Sequence, residues 1–298
     1  MLAVLAATRF VHFAAAALLF GLLAFPVYAP VPGEAGRRAA KTAGKAVRIL
    51  AIASLATAVL ALGAAITNMT GQIATLADPA TILDILRGTG FGQTWGVRLI
   101  LGILIVLLAL RARPDDRLLT ILATLFLISI AYSGHSRMQS GALRWAHIFA
   151  DALHLMAAGA WIGGLLALIL LIPRLAKSGR EGAAAGVLHQ FSGMGYFAVA
   201  VLILTGLFKS WLLVVNLQGL LSTPYGWTLM VKLALFAGMG ALALSNRLWI
   251  TPALSSRPAD PSLWLGRLRL QVSVELGLGL LVLAAVGLMG AMEPPASL

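Results

Sequence analysis

The chain has 298 residues, of which 60% are hydrophobic and only 11% charged, with a mean hydropathy of +0.95. A soluble domain carries roughly 25% charged residues, so this composition describes an integral membrane protein with almost no sequence left over for a soluble domain. The formal charge of +12 does not indicate nucleic acid, because the basic residues cluster in short turns between apolar runs, where they act as topology signals and lipid-headgroup contacts.

A membrane span takes about 20 apolar residues. The first runs over 2–28 and carries Arg9 and His12. No separate basic segment and small-residue cleavage site precede it, so it reads as a retained helix. Arg37, Arg38, Lys41, Lys45 and Arg48 follow, then a second span over 46–67. The connection 68–92 begins with Asn68 and Met69, carries Asp78 and Asp84 against Arg87, and has room for a short interfacial helix. The third span, 93–110, has Arg98 in its first turns and is followed by Arg111, Arg113 and Arg117. The fourth ends near Tyr132–Ser136, a stretch that includes His135, with Met138 just beyond. The fifth covers 145–172 and contains His147, Asp151 and His154. Arg174, Lys177 and Arg180 lead to the sixth span, 186–215, and the seventh covers 225–250. Arg247, Arg257, Arg267 and Arg269 crowd the turn before the eighth, 268–289.

The expected fold is therefore an all-α bundle of eight transmembrane helices. The basic residues fall in the connections after the first, third, fifth and seventh spans, which the positive-inside rule assigns to the cytoplasm. Both termini are then periplasmic. On this topology His12, Met69, His135, Met138, His147, Asp151 and His154 all lie in the outer half, whereas His189 alone among the five histidines lies toward the cytoplasm.

The two halves resemble one another, as 1–140 and 141–298. His12 precedes Gly21 by nine residues with Arg9 three before it; His154 precedes Gly163 by nine with Asp151 three before it. Gly92-x-Thr94-x-x-Val97-Arg98-Leu99 in the third span matches Gly226-x-Thr228-x-x-Val231-Lys232-Leu233 in the seventh. Four spans per unit keep both copies in one orientation, which predicts a parallel 4+4 repeat about an axis along the membrane normal. The repeat predicts that His12 and His154 approach one another and that Arg9 and Asp151 pair. Arg98 is expected to snorkel to headgroups. Lys232, deeper, is expected to serve Asp151 or an anion.

His147, Asp151 and His154 stand at i, i+4 and i+7, one stripe about 10 Å long on a helix, and Trp161 continues it. Ionisable groups within a span are costly and mark ion or electron pathways. The absence of cysteine removes disulfides, thiolate metal sites and c-type haem. Imidazole suits copper, and thioether sulfur suits Cu(I). The candidate ligands are His12, His135, His147, Asp151, His154, Met69 and Met138, with Asp151 either a ligand or the acceptor that orients an imidazole. A b-type haem between two facing histidines, such as His12 and His154, is the competing reading. The bland alternative is that each histidine only hydrogen-bonds between helices. Glu275, in the inner part of the eighth span, reads as a structural partner of the basic turn or as a proton or metal relay. No G-x4-G-K-[ST] motif is present, so any transport would be driven by a gradient or by a metal sink, and no catalytic constellation is assigned.

Asp151-Ala-Leu-His154 followed by Ala160-Trp161-Ile162-Gly163-Gly164-Leu165, then His189-Gln-Phe191-Ser192, Thr205-Gly206, Tyr225-Gly226, Asn246-Arg247 and Ser273-Val-Glu275-Leu276, resemble the copper-resistance D (CopD) family of bacterial inner-membrane proteins. Arg9-Phe-Val-His12 and Gly134-His135-Ser136 fit it as well. The resemblance implies an eight-helix protein that moves copper across the inner membrane, by usual inference inward, often with a separate periplasmic copper-binding partner (CopC); the chain is read on it as a copper transporter and not an enzyme, with a b-type haem membrane oxidoreductase and a non-transporting membrane chaperone that hands copper to a partner as the alternatives.

Overall fold

The computed structural model describes residues 2–31, 33–134, 139–177, 181–214, 216–256 and 261–297. Its helices are α1 (Leu2–Tyr28), α2 (Gly33–Thr70), α3 (Pro79–Gly88), α4 (Gly90–Ala109), α5 (Asp116–Ser129), α6 (Gly141–Lys177), α7 (Glu181–Val214), α8 (Leu217–Ser222), α9 (Pro224–Ser245), α10 (Thr251–Ser255) and α11 (Pro261–Met289). Eight stretches among the described residues are long and apolar enough to cross a membrane, in the order the sequence predicts. No strand occurs among those residues.

Several helices outrun their apolar runs. At 38 residues, α2 is about 57 Å long at 1.5 Å per residue, nearly twice the hydrocarbon thickness. Its cationic first turns continue the helix beyond the membrane because Lys, Arg and Ala are good helix formers. α11 starts at Pro261, seven residues before its predicted boundary. Proline at a first helical position has no N–H to leave unpaired.

The seventh span is not one regular helix. α9 passes into a π-helical turn, Asn246–Ile250, before α10. The Thr251 N–H bonds to Asn246 O, a wider i→i+5 closure. Pro252, the next residue, has no N–H to continue a regular ladder.

The connection after α2 holds a 3-10 turn, Ile73–Ala77, and then α3. Asp78 caps α3, accepting from the N–H groups of Ala80 and Thr81. α3 buries none of its residues, as a helix lying at the membrane surface would. α8 occupies the corresponding place before α9. The two junctions are built alike: Thr89 Oγ1 accepts from Gly92 N–H at 2.9 Å, and Thr223 Oγ1 from Gly226 N–H at 3.0 Å.

α1 and α6 are the most enclosed helices and pack on one another. Gly159 and Gly163 form a small-xxx-small face on α6, the kind of surface that lets helix backbones touch in a membrane. A Cβ on Gly21 would lie 2.0 Å from Gly159 O and 2.6 Å from Gly163 Cα. Tyr28 closes the far end of this seam, donating its hydroxyl hydrogen to Ala160 O at 2.9 Å. α2, α5 and α11 pack on α1, and α4 on α2 and α5; α7 and α11 pack on α6, and α9 on α11.

Candidate metal site

The stripe on α6 forms as the spacing predicts, near the end of the bundle that carries both termini. His147 is fully enclosed. Its Nδ1 lies 2.8 Å from Gln139 Oε1. A carbonyl oxygen only accepts, so Nδ1–H donates and the lone pair falls on Nε2. Nε2 has no hydrogen-bond partner and stands 3.6 Å from Asp151 Oδ2, beyond a good hydrogen bond. Two acceptors facing across this gap are reconciled by a cation between them. Two ligand atoms each about 2.1 Å from a transition-metal ion stand about 3.4–3.6 Å apart at tetrahedral to trigonal angles. The spacing fits such an ion, and it equally accommodates a proton on the imidazole.

The other carboxylate oxygen of Asp151 is already taken. Lys209 Nζ, from α7, reaches Oδ1 at 2.5 Å. The expected Arg9–Asp151 pair is therefore not formed. Arg9 lies instead beside Gly290, at the end of α11. A Cβ on Gly134 would stand 3.7 Å from Asp151 Oδ2, so the backbone that follows the fourth span passes beside this carboxylate.

His154 lies one turn deeper. Its Nδ1 is 2.8 Å from Thr205 Oγ1. The Thr205 hydroxyl hydrogen goes to Val201 O at 2.6 Å, so the oxygen must accept and the imidazole must donate. His154 is thereby held as the Nδ1–H tautomer with Nε2 presenting its lone pair. Such a second hydrogen bond is what fixes a metal-binding imidazole.

The first half contains a matching arrangement. His12 Nδ1 is 3.3 Å from Thr57 Oγ1, and Thr57 gives its hydrogen to Ala53 O at 2.7 Å. His12 Nε2 is buried without a partner, as are Ser54 Oγ and Trp95 Nε1 nearby. The ring is enclosed by Trp95 and Phe126, with centroids 5.9 and 5.6 Å away. Arg98 does not snorkel. It is 1% exposed, donates to Ser129 Oγ, Ser129 O and Ser133 Oγ at 3.0, 2.7 and 2.6 Å, and stacks over Trp95 at 4.2 Å.

His12 and His154 thus stand in separate surroundings, each turned to the threonine of its own half. No hydrogen bond or ring contact links them among the described residues. The expected approach of the two histidines is not made as a direct contact among the described residues. Met69 is exposed at the end of α2. His135 and Met138 lie outside the described residues. Among the described residues no group of three or more His, Asp or Glu forms a ready metal cage. Sequence reasoning missed Lys209, Thr57 and Gln139, and singled out Thr205 only within the resemblance, without a role at the site. The i, i+4 spacing of Thr205 and Lys209 on an apolar helix was the available signal for two of them.

Comparison with known proteins gives a consistent result over nearly the whole chain. Residues 1–145 match the family described as copper resistance protein D-like, N-terminal domain, and residues 185–289 match copper resistance protein D. Inner membrane protein YebZ of Escherichia coli (strain K12) is 30% identical over 294 residues, 97% of each chain. Copper resistance protein D of Pseudomonas syringae pv. tomato is 27% identical over 298 residues, 97% of this chain and 96% of that one. Copper transport protein CutJ of Bacillus subtilis (strain 168) is 28% identical over 180 residues, 58% of this chain and 33% of that protein. No solved structure matches.

Proposed function

The chain belongs to the copper resistance D family, and on that premise we propose that it carries copper across the bacterial inner membrane, from periplasm to cytoplasm. The observation that carries this reading is on α6. His147 Nε2 and Asp151 Oδ2 face one another across 3.6 Å, and one turn deeper His154 is fixed with its own Nε2 free. A cation entering here meets nitrogen and oxygen donors of the kind that suit copper.

The basic connections face the cytoplasm and both termini face the periplasm, so the site opens outward. His147, Asp151 and His154 are the proposed core ligands. His135 and Met138, which lie outside the described residues, are proposed as further ligands on sequence grounds alone. Met69, exposed at the same end, offers a first thioether contact for Cu(I). His12 provides a separate imidazole in the first half. The two halves, 1–140 and 141–298, are read as repeats, supported by their matching His–Thr pairs and helix caps. Lys209 holds Asp151 until an incoming cation replaces it. The proposed donor is a periplasmic copper-binding protein of the CopC kind.

The test is copper uptake into proteoliposomes alongside equilibrium copper binding. Wild-type protein should bind copper and admit it, and His154→Ala should lose tight binding and flux together. Binding without flux in the wild type would replace transport with a copper-holding role. Unchanged affinity in His154→Ala would remove this site from consideration.

A further inference from the structure

The stripe on α6 does not end at His154. Trp161 lies seven residues further, about 10 Å deeper along the helix, and is 2% exposed. Its indole Nε1–H donates to Glu275 Oε1 at 2.7 Å. Glu275, on α11, is 1% exposed. Its second oxygen, Oε2, is 3.4 Å from Asn246 Nδ2, at the start of the π-helical turn. A buried polar column therefore continues from the histidine site toward the end of the bundle where the basic connections lie.

Unlike Asp151, the other buried carboxyl among the described residues, Glu275 has no charged partner among them. α6 presents Trp161 to it, and the π turn presents Asn246. Arg247, on the same turn, bonds His189 on α7. Arg267, on α11 itself, stacks over Trp264 at 5.0 Å. On α1, Arg9 lies at Gly290, His12 at Thr57 and Tyr28 at Ala160 O. α10 carries no titratable side chain. An ionised carboxyl held only by neutral donors inside a membrane protein is costly, and such residues commonly serve as proton relays.

The partners suit both protonation states. The Trp161 N–H donates to either form. The Asn246 amide donates through Nδ2 to a carboxylate, and a half-turn about its last bond offers Oδ1 to accept from a carboxylic acid O–H. Asn246 Oδ1 is otherwise buried without a partner, as is Gln271 Oε1 one turn before Glu275 on α11. Gln271 and Ser245, joined at 3.3 Å, also line an open cavity of about 310 Å³ with Trp249, Trp264 and Arg267. A cavity of this size has room for several waters, with Ser245, Gln271 and Arg267 as their polar partners. Water reaching Gln271 and Ser245 stands one turn from Glu275 and one residue from Asn246.

We infer that Glu275 is a proton-binding site on the cytoplasmic side of the column, exchanging one proton with water in the Ser245–Gln271 cavity as copper moves past Trp161. The carboxylate takes up one proton and returns the same proton, and no other group changes state. This inference rests on the proposed transport, but the site itself can be read without it.

The first measurement is pH-difference infrared spectroscopy of the purified full-length protein in lipid, without copper. The wild type should show a carboxylic acid C=O band that appears and disappears with pH. Glu275→Gln should lack it, and Trp161→Phe should shift it through loss of one hydrogen bond. His154→Ala should keep it, so failure of the copper site and failure of the proton site are told apart. The second measurement is copper flux into proteoliposomes at two internal pH values. Wild-type flux should change severalfold with internal pH, and Glu275→Gln should abolish that dependence while retaining copper binding at His154. A carboxyl band unaffected by Glu275→Gln overturns the inference. So does a pH response of flux that survives this substitution, or flux that follows sodium instead of pH.

Discussion

Lys209 Nζ lies 2.5 Å from Asp151 Oδ1, while Oδ2 of the same carboxylate faces His147 Nε2 at 3.6 Å. A metal ion bound as proposed would compete with the lysine for one negative charge. A unit charge about 4 Å away is worth about 4 kcal/mol at an effective dielectric of 20. The lysine side chain is 26% exposed, so screening reduces that figure. Lys209→Met is expected to raise copper affinity at least about tenfold, or about 1.4 kcal/mol. It should also slow copper release, because the displaced cation no longer returns to Asp151. Competition titration with a copper chelator reads the first effect. An affinity that is unchanged or weaker would show that Lys209 is not the competitor.

The Thr205 hydroxyl does nothing for copper directly in this structure. It fixes His154 by accepting from Nδ1–H while its own hydrogen is held by Val201 O. Thr205→Val keeps the shape and removes the acceptor. Copper affinity should fall about 10–100-fold, the usual range for the outer partner of a ligating imidazole. Thr205→Ser should restore most of it. If valine binds copper as well as threonine does, His154 is not a ligand whose orientation matters.

Arg98 makes its bonds to Ser129 and Ser133 through two nitrogens while its face lies on Trp95. A lysine has neither the fork nor the planar face. Arg98→Lys is expected to destabilise the protein by about 2–4 kcal/mol, within the range for losing charge-assisted hydrogen bonds at a buried site. Thermal unfolding in detergent measures this. A neutral result would return Arg98 to the snorkelling role that its sequence position first suggests.

Helical spacing made much of this legible. Eight apolar runs set the spans, and i, i+4, i+7 placed His147, Asp151 and His154 on one face before any coordinates. Spacing along one helix does not say which helix stands opposite. Lys209 is a lone cation in an apolar run, and only the packing of α7 on α6 makes it the partner of Asp151. The sequence likeness of the halves suggested that His12 and His154 meet. The direct contact that forms is between the glycines nine residues further on, Gly21 and Gly163. Each imidazole turns outward to its own threonine. The π turn at Asn246 escaped notice because one inserted residue leaves the apolar pattern of the span intact.

That glycine contact yields the sharpest stability prediction. The backbones of α1 and α6 approach so closely at Gly21 that a methyl group there would lie 2.0 Å from Gly159 O. The obstacle is backbone on both sides, so no side-chain rotation relieves it. Gly21→Ala must separate the two helices, at a cost of about 1–3 kcal/mol for overpacking, and Gly21→Leu should prevent assembly. Gly44, with open space around its Cβ position, is the control: Gly44→Ala should be neutral or slightly stabilising, since alanine favours the helix by up to about 1 kcal/mol. Detergent unfolding of the three variants measures both the cost and its location. A Gly21→Ala protein as stable as Gly44→Ala would show that α1 and α6 do not cross at this point. The contact also ties stability to function, because α6 carries the histidine stripe on the helix that Gly21 braces. A milder separation, Gly21→Ala rescued by low temperature, should therefore lower copper affinity without touching any ligand.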